Sequence, residues 1–189
     1  MLIKLFGGLQ IIQNDQPLTI ARQRERTLLT YLLLHPNAAH SREKLIELLW
    51  PDSDSERSGR NFANVLYRVQ QVVGKQWIGA EGSALRLTPT PALTVDLWRF
   101  EQCYQAADDD ALSEAIALYA GDLLTTTASL LPDQHDEWLL PLQTHYHECF
   151  LNTLQRLGQR HEQAQRWAAA QQCYQRLRLS DPLLSLIHI

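Results

Sequence analysis

The chain has 189 residues, 45% hydrophobic and 20% charged, a composition typical of globular proteins and sufficient for one large or two small domains. No apolar run approaches the roughly eighteen residues that a membrane-spanning helix needs, and the N-terminus turns polar too soon for a signal peptide. The three cysteines are far apart in sequence, so we expect reduced thiols and a cytoplasmic protein.

The net charge differs between the two halves of the chain. Residues 1–95 contain 11 Lys+Arg and 8 Asp+Glu, a net charge of +3, whereas residues 96–189 contain 6 and 13, a net charge of -7. Such an asymmetry suggests two units with different partners. Prolines between residues 89 and 94 mark the boundary. We predict domains over residues 1–92 and 93–189.

The first half begins with short apolar runs separated by turn signals, which predicts strands within residues 2–20. The apolar period then lengthens to that of a helix, and we predict one over residues 22–35 with four leucines facing a core. We interpret the arginine cluster at 22–26 as the surface of this helix. Ser41 is the predicted N-cap of a second helix, which Pro51 ends.

A third helix shows the most informative pattern. We predict it over residues 59–74, after a polar, acidic loop over 51–59 and before a hairpin over 77–88. One face of the helix is apolar and the opposite face is polar, and no acid occurs between Arg57 and Ala80. This absence needs an explanation, because charged helix faces commonly alternate in sign.

Everything after the boundary is predicted to be helical. Helices are expected over 95–107 and 111–121, joined by an acidic connector at 108–110, and over 136–158 and 162–179. The second pair matches the spacing of a tetratricopeptide repeat at Leu157, Gly158, Ala170, Tyr174 and Pro182. We therefore predict an all-helical, tetratricopeptide-like second domain.

Three helices followed by a hairpin is the plan of a winged helix-turn-helix, whose third helix enters the major groove of DNA. Arg binds guanine and Asn or Gln binds adenine, whereas an acid on this face would repel the phosphates. The candidate DNA-binding residues of the helix are Arg57, Arg60, Asn61, Asn64, Tyr67, Arg68 and Gln71. Those of the wing and of the second helix are Ser83, Arg86, Ser41 and Arg42. A merely solvated polar face, with Tyr67 half-buried, is the alternative interpretation.

The sequence offers little for catalysis or for a metal site. It contains no G-x-S-x-G, Walker A or G-x-G-x-x-G motif, so we expect neither enzymatic activity nor a cofactor. His145 and Cys149 lie one helical turn apart and supply two potential ligands, fewer than zinc takes. We therefore expect no metal ion.

The sequence resembles the SARP-type bacterial transcriptional regulators over nearly its whole length. The resemblance in the first half rests on IKLFGGLQI, LLTYLLLHPNAAHSREKLIELLWPD and RNFANVLYRVQQVVG. In the second half it rests on VDLWRFE, AIALYAGDLL, EWL and SDPL. It implies an OmpR-like winged helix followed by a bacterial transcriptional activator domain. The expected fold class is mostly α with a small β part.

The resemblance also implies a function and its partners. The chain would bind double-stranded promoter DNA through the third helix and the wing, as a transcriptional activator. The loop over 51–57 would face RNA polymerase with Asp52, Asp54 and Glu56, and the helical domain would contact the polymerase or a second protomer. Many members have Gly-Tyr-Arg-Leu in the wing, where this chain has Ala84-Leu85-Arg86-Leu87. The wing of this chain thus keeps the arginine and lacks the aromatic ring.

Two other classes of function stay open at this point. One is a protein–protein scaffold whose winged helix no longer binds DNA. The other is the N-terminal regulatory head of a larger signalling ATPase. The second alternative comes from the C-terminus, where LSLIHI ends the chain without the polar cap that a helical repeat stack needs. We expect the helical domain to be truncated there.

Overall fold

The computed structural model describes residues 1–51, 55–127 and 136–180. Within these ranges the chain forms seven helices and two small sheets. The expected fold class, mostly α with a small β part, is confirmed. In the same ranges, no helix combines the length and the hydropathy needed to cross a membrane.

The first sheet is built from both ends of the N-terminal half. It contains β1 (Leu2–Lys4), β2 (Gln10–Gln13), β3 (Gln16–Leu18) and β7 (Thr94–Val95), in the order β3–β2–β1–β7. Strands β2 and β3 are antiparallel, with Ile11 opposite Leu18. The turn between them places Asn14 and Asp15 at positive φ, a conformation that these two residue types adopt more readily than most.

Three helices and a second sheet form the predicted winged-helix arrangement. They are α1 (Gln23–Leu34), β4 (Ala39–Ser41), α2 (Arg42–Leu49), α3 (Ser55–Val73), β5 (Ile78–Glu81) and β6 (Ala84–Leu87), with the sheet order β4–β6–β5. The four leucines of α1 that were expected to face the core are fully buried at positions 28, 29, 32 and 33. The hydroxyl of Ser41 accepts the backbone N–H of Lys44 at 3.2 Å, so the predicted N-cap is confirmed.

Helix α3 is longer than the sequence predicted. It begins at Ser55, so residues 55–59 are helical and the predicted loop over 51–59 was wrong for this part. The polar, acidic composition had indicated a loop, yet Ser58 is buried within this part of the helix. On the apolar face of this helix, Val65 is buried and Leu66 is half-buried.

Four helices follow in the part of the second half that the structure describes. They are α4 (Asp96–Ala106), α5 (Asp109–Leu118), α6 (Asp136–Gln163) and α7 (Trp167–Ser180). The predicted acidic connector belongs largely to α5, because Asp108 caps that helix by accepting the N–H of Ala111 at 2.8 Å. Asp109 then lies in the first turn, where the helix dipole favours a negative charge.

Gly158 lies inside α6, although the sequence predicted the end of the helix there. A Cβ atom at this position would lie 2.9 Å from Cε1 of Tyr174 and 3.4 Å from Cβ of Cys173. The hydroxyl of Tyr174 donates to Glu162 at 2.9 Å and holds the ring in place. The glycine therefore permits the close approach of α7, and the Leu-Gly and Ala-x3-Tyr parts of the predicted repeat meet at this point.

The described residues divide into two compact units. The first contains Met1–Ile3, Leu9–Thr94 and residues 126–127, and the second contains Lys4–Gly8, Val95–Thr125 and residues 136–180. The segment Lys4–Gly8 thus belongs to the helical unit, whereas the sequence had indicated that it belongs to a domain over residues 1–92.

The carboxylate of Asp96 holds Lys4–Gly8 in the second unit. Asp96 is 5% exposed and accepts the backbone N–H of Leu5 at 2.8 and 3.0 Å, that of Phe6 at 3.1 Å and that of Leu97 at 2.7 Å. Burial raises the pKa of this carboxyl group, while the three N–H donors act in the opposite direction. The backbone N–H groups of Leu5 and Phe6 are thereby paired with a side chain from α4.

Phe6 joins an aromatic cluster of the second unit. Its ring centroid lies 5.2 Å from that of Phe100 and 4.8 Å from that of Tyr119. Tyr119 in turn stacks on Phe150 with 4.0 Å between the centroids. The segment Lys4–Gly8 therefore supplies a core side chain to the helical unit, and aromatic pairs of this geometry stabilise a core beyond their buried area.

Replacing Asp96 by Ala removes the acceptor and leaves the buried N–H groups of Leu5 and Phe6 unpaired. We expect the free energy of unfolding to fall by about 3 kcal/mol, because hydrogen bonds to charged groups are strong and orphaned donors are costly. Urea unfolding followed by circular dichroism measures this decrease. Asp110→Ala, at an exposed acid of α5, is the control. An equal decrease in both variants would contradict the role of Asp96.

The packing at Gly158 predicts that one substitution there lowers stability in the wild type and raises it when Tyr174 is replaced. Gly158→Ala should destabilise the chain by about 1 kcal/mol, because overpacking against Tyr174 outweighs the gain in helix propensity. In a Tyr174→Ala background the space is free, and the same substitution should stabilise by about 0.5 kcal/mol. A double-mutant cycle on thermal unfolding measures both values. The same sign in both backgrounds would rule out the close approach as the reason for the glycine.

Candidate nucleic-acid interface

The polar face of α3 is exposed. Phe62, Val69 and Val73 point into the core of the first unit, and the candidate DNA-binding residues lie on the other side. The exposed candidates of this helix are Arg60, Asn61, Asn64, Tyr67, Arg68 and Gln71. Tyr67 is 55% exposed, so it does not have the half-buried packing role that the sequence left open. Residues 58–73 contain no acid, and the face therefore offers hydrogen-bond formers and positive charge.

Four of the predicted residues have side chains outside the described part of the structure. Asp52 and Asp54 fall outside the described residues altogether. Glu56 and Arg57 lie in the first turns of α3, and only their backbone belongs to the described part. Their suggested roles at RNA polymerase and at DNA stay predictions.

Contacts between α3 and the hairpin fix the orientation of the helix. The side-chain amide of Gln70 donates to the carbonyl of Ile78 at 3.1 Å. The helix ends at Gly74, whose φ of 105° suits glycine and whose N–H donates to the carbonyl of Gln70 at 2.9 Å. The ammonium of Lys75 lies 5.6 Å from the centre of the Tyr67 ring, so a cation lies beside this exposed aromatic residue.

The structure brings three of the predicted residues together at the tip of the hairpin. Ser41 is opposite Ala84 across the β4–β6 pair, and the N–H of Arg42 donates to the carbonyl of Ser83 at 3.1 Å. The hydroxyl of Ser41 accepts the N–H of Lys44 and keeps its own proton to donate. The first turn of α2 and the hairpin turn thus form one polar surface.

Arg86 occupies the centre of the second sheet. It is in register with Ala39 of β4 on one side and with Gly79 of β5 on the other. Its chain neighbours Leu85 and Leu87 are buried, so Arg86 lies on the opposite, outer face of the sheet, half-buried between two small residues. The long side chain can cross them toward the solvent.

A groove of ≈ 570 Å³ lies between the start of α1 and α3, and the sequence did not predict it. Its lining residues are Arg22, Gln23, Arg24, Glu25, Trp50, Asn61, Asn64, Val65 and Arg68. Arg22 and Arg24 were interpreted only as helix surface, and they lie beside the predicted DNA-binding residues. The cluster of arginines at 22–26 was the available signal, but periodicity alone does not show which helix lies next to it.

Two arginines of this groove are held in different ways. The guanidinium of Arg24 lies 5.0 Å from the centre of the Trp50 ring, and its Nε donates to the carbonyl of Leu49 at 3.3 Å. Arg68 instead forms an ion pair with Glu25, with 3.3 Å between Nη1 and Oε1. Arg24 is thus held by neutral groups, whereas an acid lies against Arg68.

No protein-family model matches the sequence, and no curated protein matches it significantly. The comparison with solved structures does find a likeness. The fold is similar to that of EmbR from Mycobacterium tuberculosis. That structure is of EmbR in complex with a low affinity phosphopeptide, and it superposes with a TM-score of 0.60 at 17% sequence identity. The match covers 94% of this chain and 59% of the EmbR chain, so the chain spans less than two thirds of EmbR. At this identity the likeness shows the fold.

The second unit contains His145 and Cys149, the two potential metal ligands that the sequence offers. Nε2 of His145 and Sγ of Cys149 are 3.7 Å apart. Among the described residues, no three His, Cys, Asp or Glu side chains are grouped closely enough to hold a metal ion. All three cysteines are free and buried, and burial raises the pKa of the Cys103, Cys149 and Cys173 thiols. These thiols are therefore protonated at neutral pH.

The burial of His40, on β4 of the second sheet, leads us to expect that the stability of the chain depends on pH. Burial lowers the pKa of its imidazole, and the charges of His35 and Lys44 act in the same direction, while a hydrogen bond to the backbone of His35 opposes them. The unfolded chain takes up a proton near pH 6.5 and the native chain only at a lower pH, so stability should fall as the pH drops below about 6.5. Urea unfolding at several values between about pH 7 and about pH 5 measures the slope of the free energy of unfolding against pH. His40→Gln should flatten it, whereas His145→Gln, at an exposed histidine, should leave it unchanged. Equal slopes in wild type and His40→Gln would disprove this assignment.

Proposed function

We propose that this chain is a sequence-specific DNA-binding transcriptional regulator of the SARP type, which binds promoter DNA through α3 and the wing. The observation that carries the proposal is the exposed face of α3, which presents Arg, Asn and Gln without an acid. The arrangement of α2, α3 and the hairpin supports it, as does the likeness of the fold to EmbR.

The spacing of the exposed residues suits a helix in the major groove. Asn61, Asn64, Arg68 and Gln71 follow one another at intervals of three or four residues and so lie along one stripe of α3. The fork of Arg fits the two acceptors of guanine, and the amides of Asn and Gln fit adenine. Arg60 lies beside this stripe, where it would contact a phosphate.

Other elements would hold the DNA backbone. Ser41, Arg42 and Ser83 lie together at the start of α2 and the tip of the hairpin, and a helix N-terminus attracts phosphate through its free N–H groups. Arg22 and Arg24 would extend this backbone contact on the other side of α3. Such contacts position a protein on DNA and give an affinity that depends on salt.

The protein would act by binding, without catalysis or a cofactor, in the cytoplasm. The second unit would then contact RNA polymerase or a second protomer. The net charge of -7 over residues 96–189, from 6 Lys+Arg and 13 Asp+Glu, suits a basic partner surface. The acids at 52, 54 and 56 would add to the polymerase contact.

A test uses the full chain, because Lys4–Gly8 belongs to the helical unit and a cut near residue 92 would remove this segment from it. Fluorescence anisotropy on duplex DNA over a salt series gives the slope of log K against log salt. Arg60→Ala should reduce the magnitude of the slope by about 0.9 for each phosphate that the protein no longer neutralises. Arg166→Ala, at an exposed arginine of the second unit, is the matched control and should leave the slope unchanged.

A protein-binding scaffold is the second candidate, and the exposed Tyr67 favours it, because tyrosine is enriched in protein interfaces. If the folded wild-type chain does not bind duplex DNA at low salt, the DNA proposal is wrong and this candidate replaces it. If the chain binds DNA, Tyr67→Ala should leave the salt slope unchanged, because the side chain carries no charge.

A further inference from the structure

We propose that Glu25 is a positioning residue for base recognition. It fixes the guanidinium of Arg68 at the edge of the groove between α1 and α3, so that Arg68 reads a base and does not bind a phosphate. The inference rests on the proposed function and deepens it, because it assigns a role in specificity to an acid that lies outside α3.

The geometry of the pair supports this role. The side chain of Glu25 is 10% exposed, whereas that of Arg68 is 43% exposed. One nitrogen of the guanidinium, Nη1, lies 3.3 Å from Oε1 of Glu25. The guanidinium has five N–H donors in a planar fork, so a contact through one nitrogen leaves others for a ligand. The acid thus contacts one nitrogen of Arg68, while much of the Arg68 side chain stays exposed to solvent.

A negative charge is unexpected at this position of a DNA-binding surface. Burying a charge is unfavourable unless it is paired, and a negative charge beside a phosphate-binding surface weakens DNA binding. Glu25 is nevertheless the acid in the lining of a groove that also contains Arg22, Arg24 and Arg68. An acid that costs affinity at this point is explained if it contributes specificity.

The physical effect follows from the charges. A phosphate attracts any positive charge, and pairing with Glu25 reduces the net charge that Arg68 presents. The paired Arg68 keeps its hydrogen-bond donors, which suit the O6 and N7 acceptors of guanine. Arg24, held by Trp50 and a backbone carbonyl, keeps its full charge for a phosphate. The groove therefore contains one arginine suited to bases and one suited to the backbone.

The test begins with the full chain and a pool of random DNA duplexes, from which binding sites are selected. Affinity for a selected duplex and for a scrambled duplex is then measured over a salt series. Glu25→Gln should lower the ratio of the two affinities about tenfold, the value of one well-oriented arginine–guanine pair. It should also steepen the salt slope on the scrambled duplex by about 0.9, because the freed Arg68 binds a phosphate.

Asp15→Asn is the matched control for the removal of a negative charge. It lies at the β2–β3 turn of the same unit, at a positive φ of 59° that Asn also tolerates. Arg24→Ala serves as the contrasting variant. It should make the salt slope shallower and leave the affinity ratio unchanged.

A double-mutant cycle separates positioning from a structural role. If Glu25 acts through Arg68, Glu25→Gln should change the affinity ratio in the wild type and not in an Arg68→Ala background. Should Glu25→Gln fail to fold, Glu25→Asp withdraws the carboxylate and keeps the charge. This variant should lower the ratio of the affinities for the selected and the scrambled duplex without steepening the salt slope on the scrambled duplex.

Three outcomes are distinguishable. A ratio that is unchanged in Glu25→Gln, or that falls equally with and without Arg68, overturns this inference and leaves the proposed function intact. The absence of any enriched duplex with wild-type chain overturns the proposed function, and the role of Glu25 with it. A lower ratio that depends on Arg68 supports both.

Discussion

The carboxylate of Asp96 accepts hydrogen bonds from the backbone N–H groups of Leu5 and Phe6, and it thereby joins the segment Lys4–Gly8 to α4. It places Lys4–Gly8 among the helices of the second unit, where Phe6 packs in the aromatic cluster. Along the chain, the winged-helix elements of Leu9–Thr94 therefore lie between two segments that both belong to the helical unit. A buried carboxylate with three N–H donors is a strong and specific contact, because each donor would otherwise be unpaired.

In the candidate interface, the acid and the arginine that it pairs with come from different helices. The described side chains of α3 present no acid to the solvent, and the acid that approaches this face, Glu25, comes from α1. The same groove holds Arg24 by neutral groups and Arg68 by a carboxylate. Neighbouring arginines can thus differ in the net charge that they present to a ligand.

Much of the winged-helix unit could be predicted from the sequence. The leucines of α1, the cap at Ser41, the hairpin and the exposed face of α3 all follow from local period and turn chemistry. The predictions failed where a distant part of the chain outweighed a local preference. Ser58 is buried in the added first turns of α3, and Gly158, where the sequence indicated a helix end, lies inside α6 and packs against Tyr174.

The sequence by itself determined which side chains share a face of α3, because residues three and four apart meet on any helix. It also determined the charge of each half of the chain. Only the tertiary structure decided that Glu25 lies against Arg68, that Arg22 and Arg24 border the same groove, and that Lys4–Gly8 joins the helices. These contacts join residues far apart in the chain, and the packing of whole elements determines them, not the local period of the sequence.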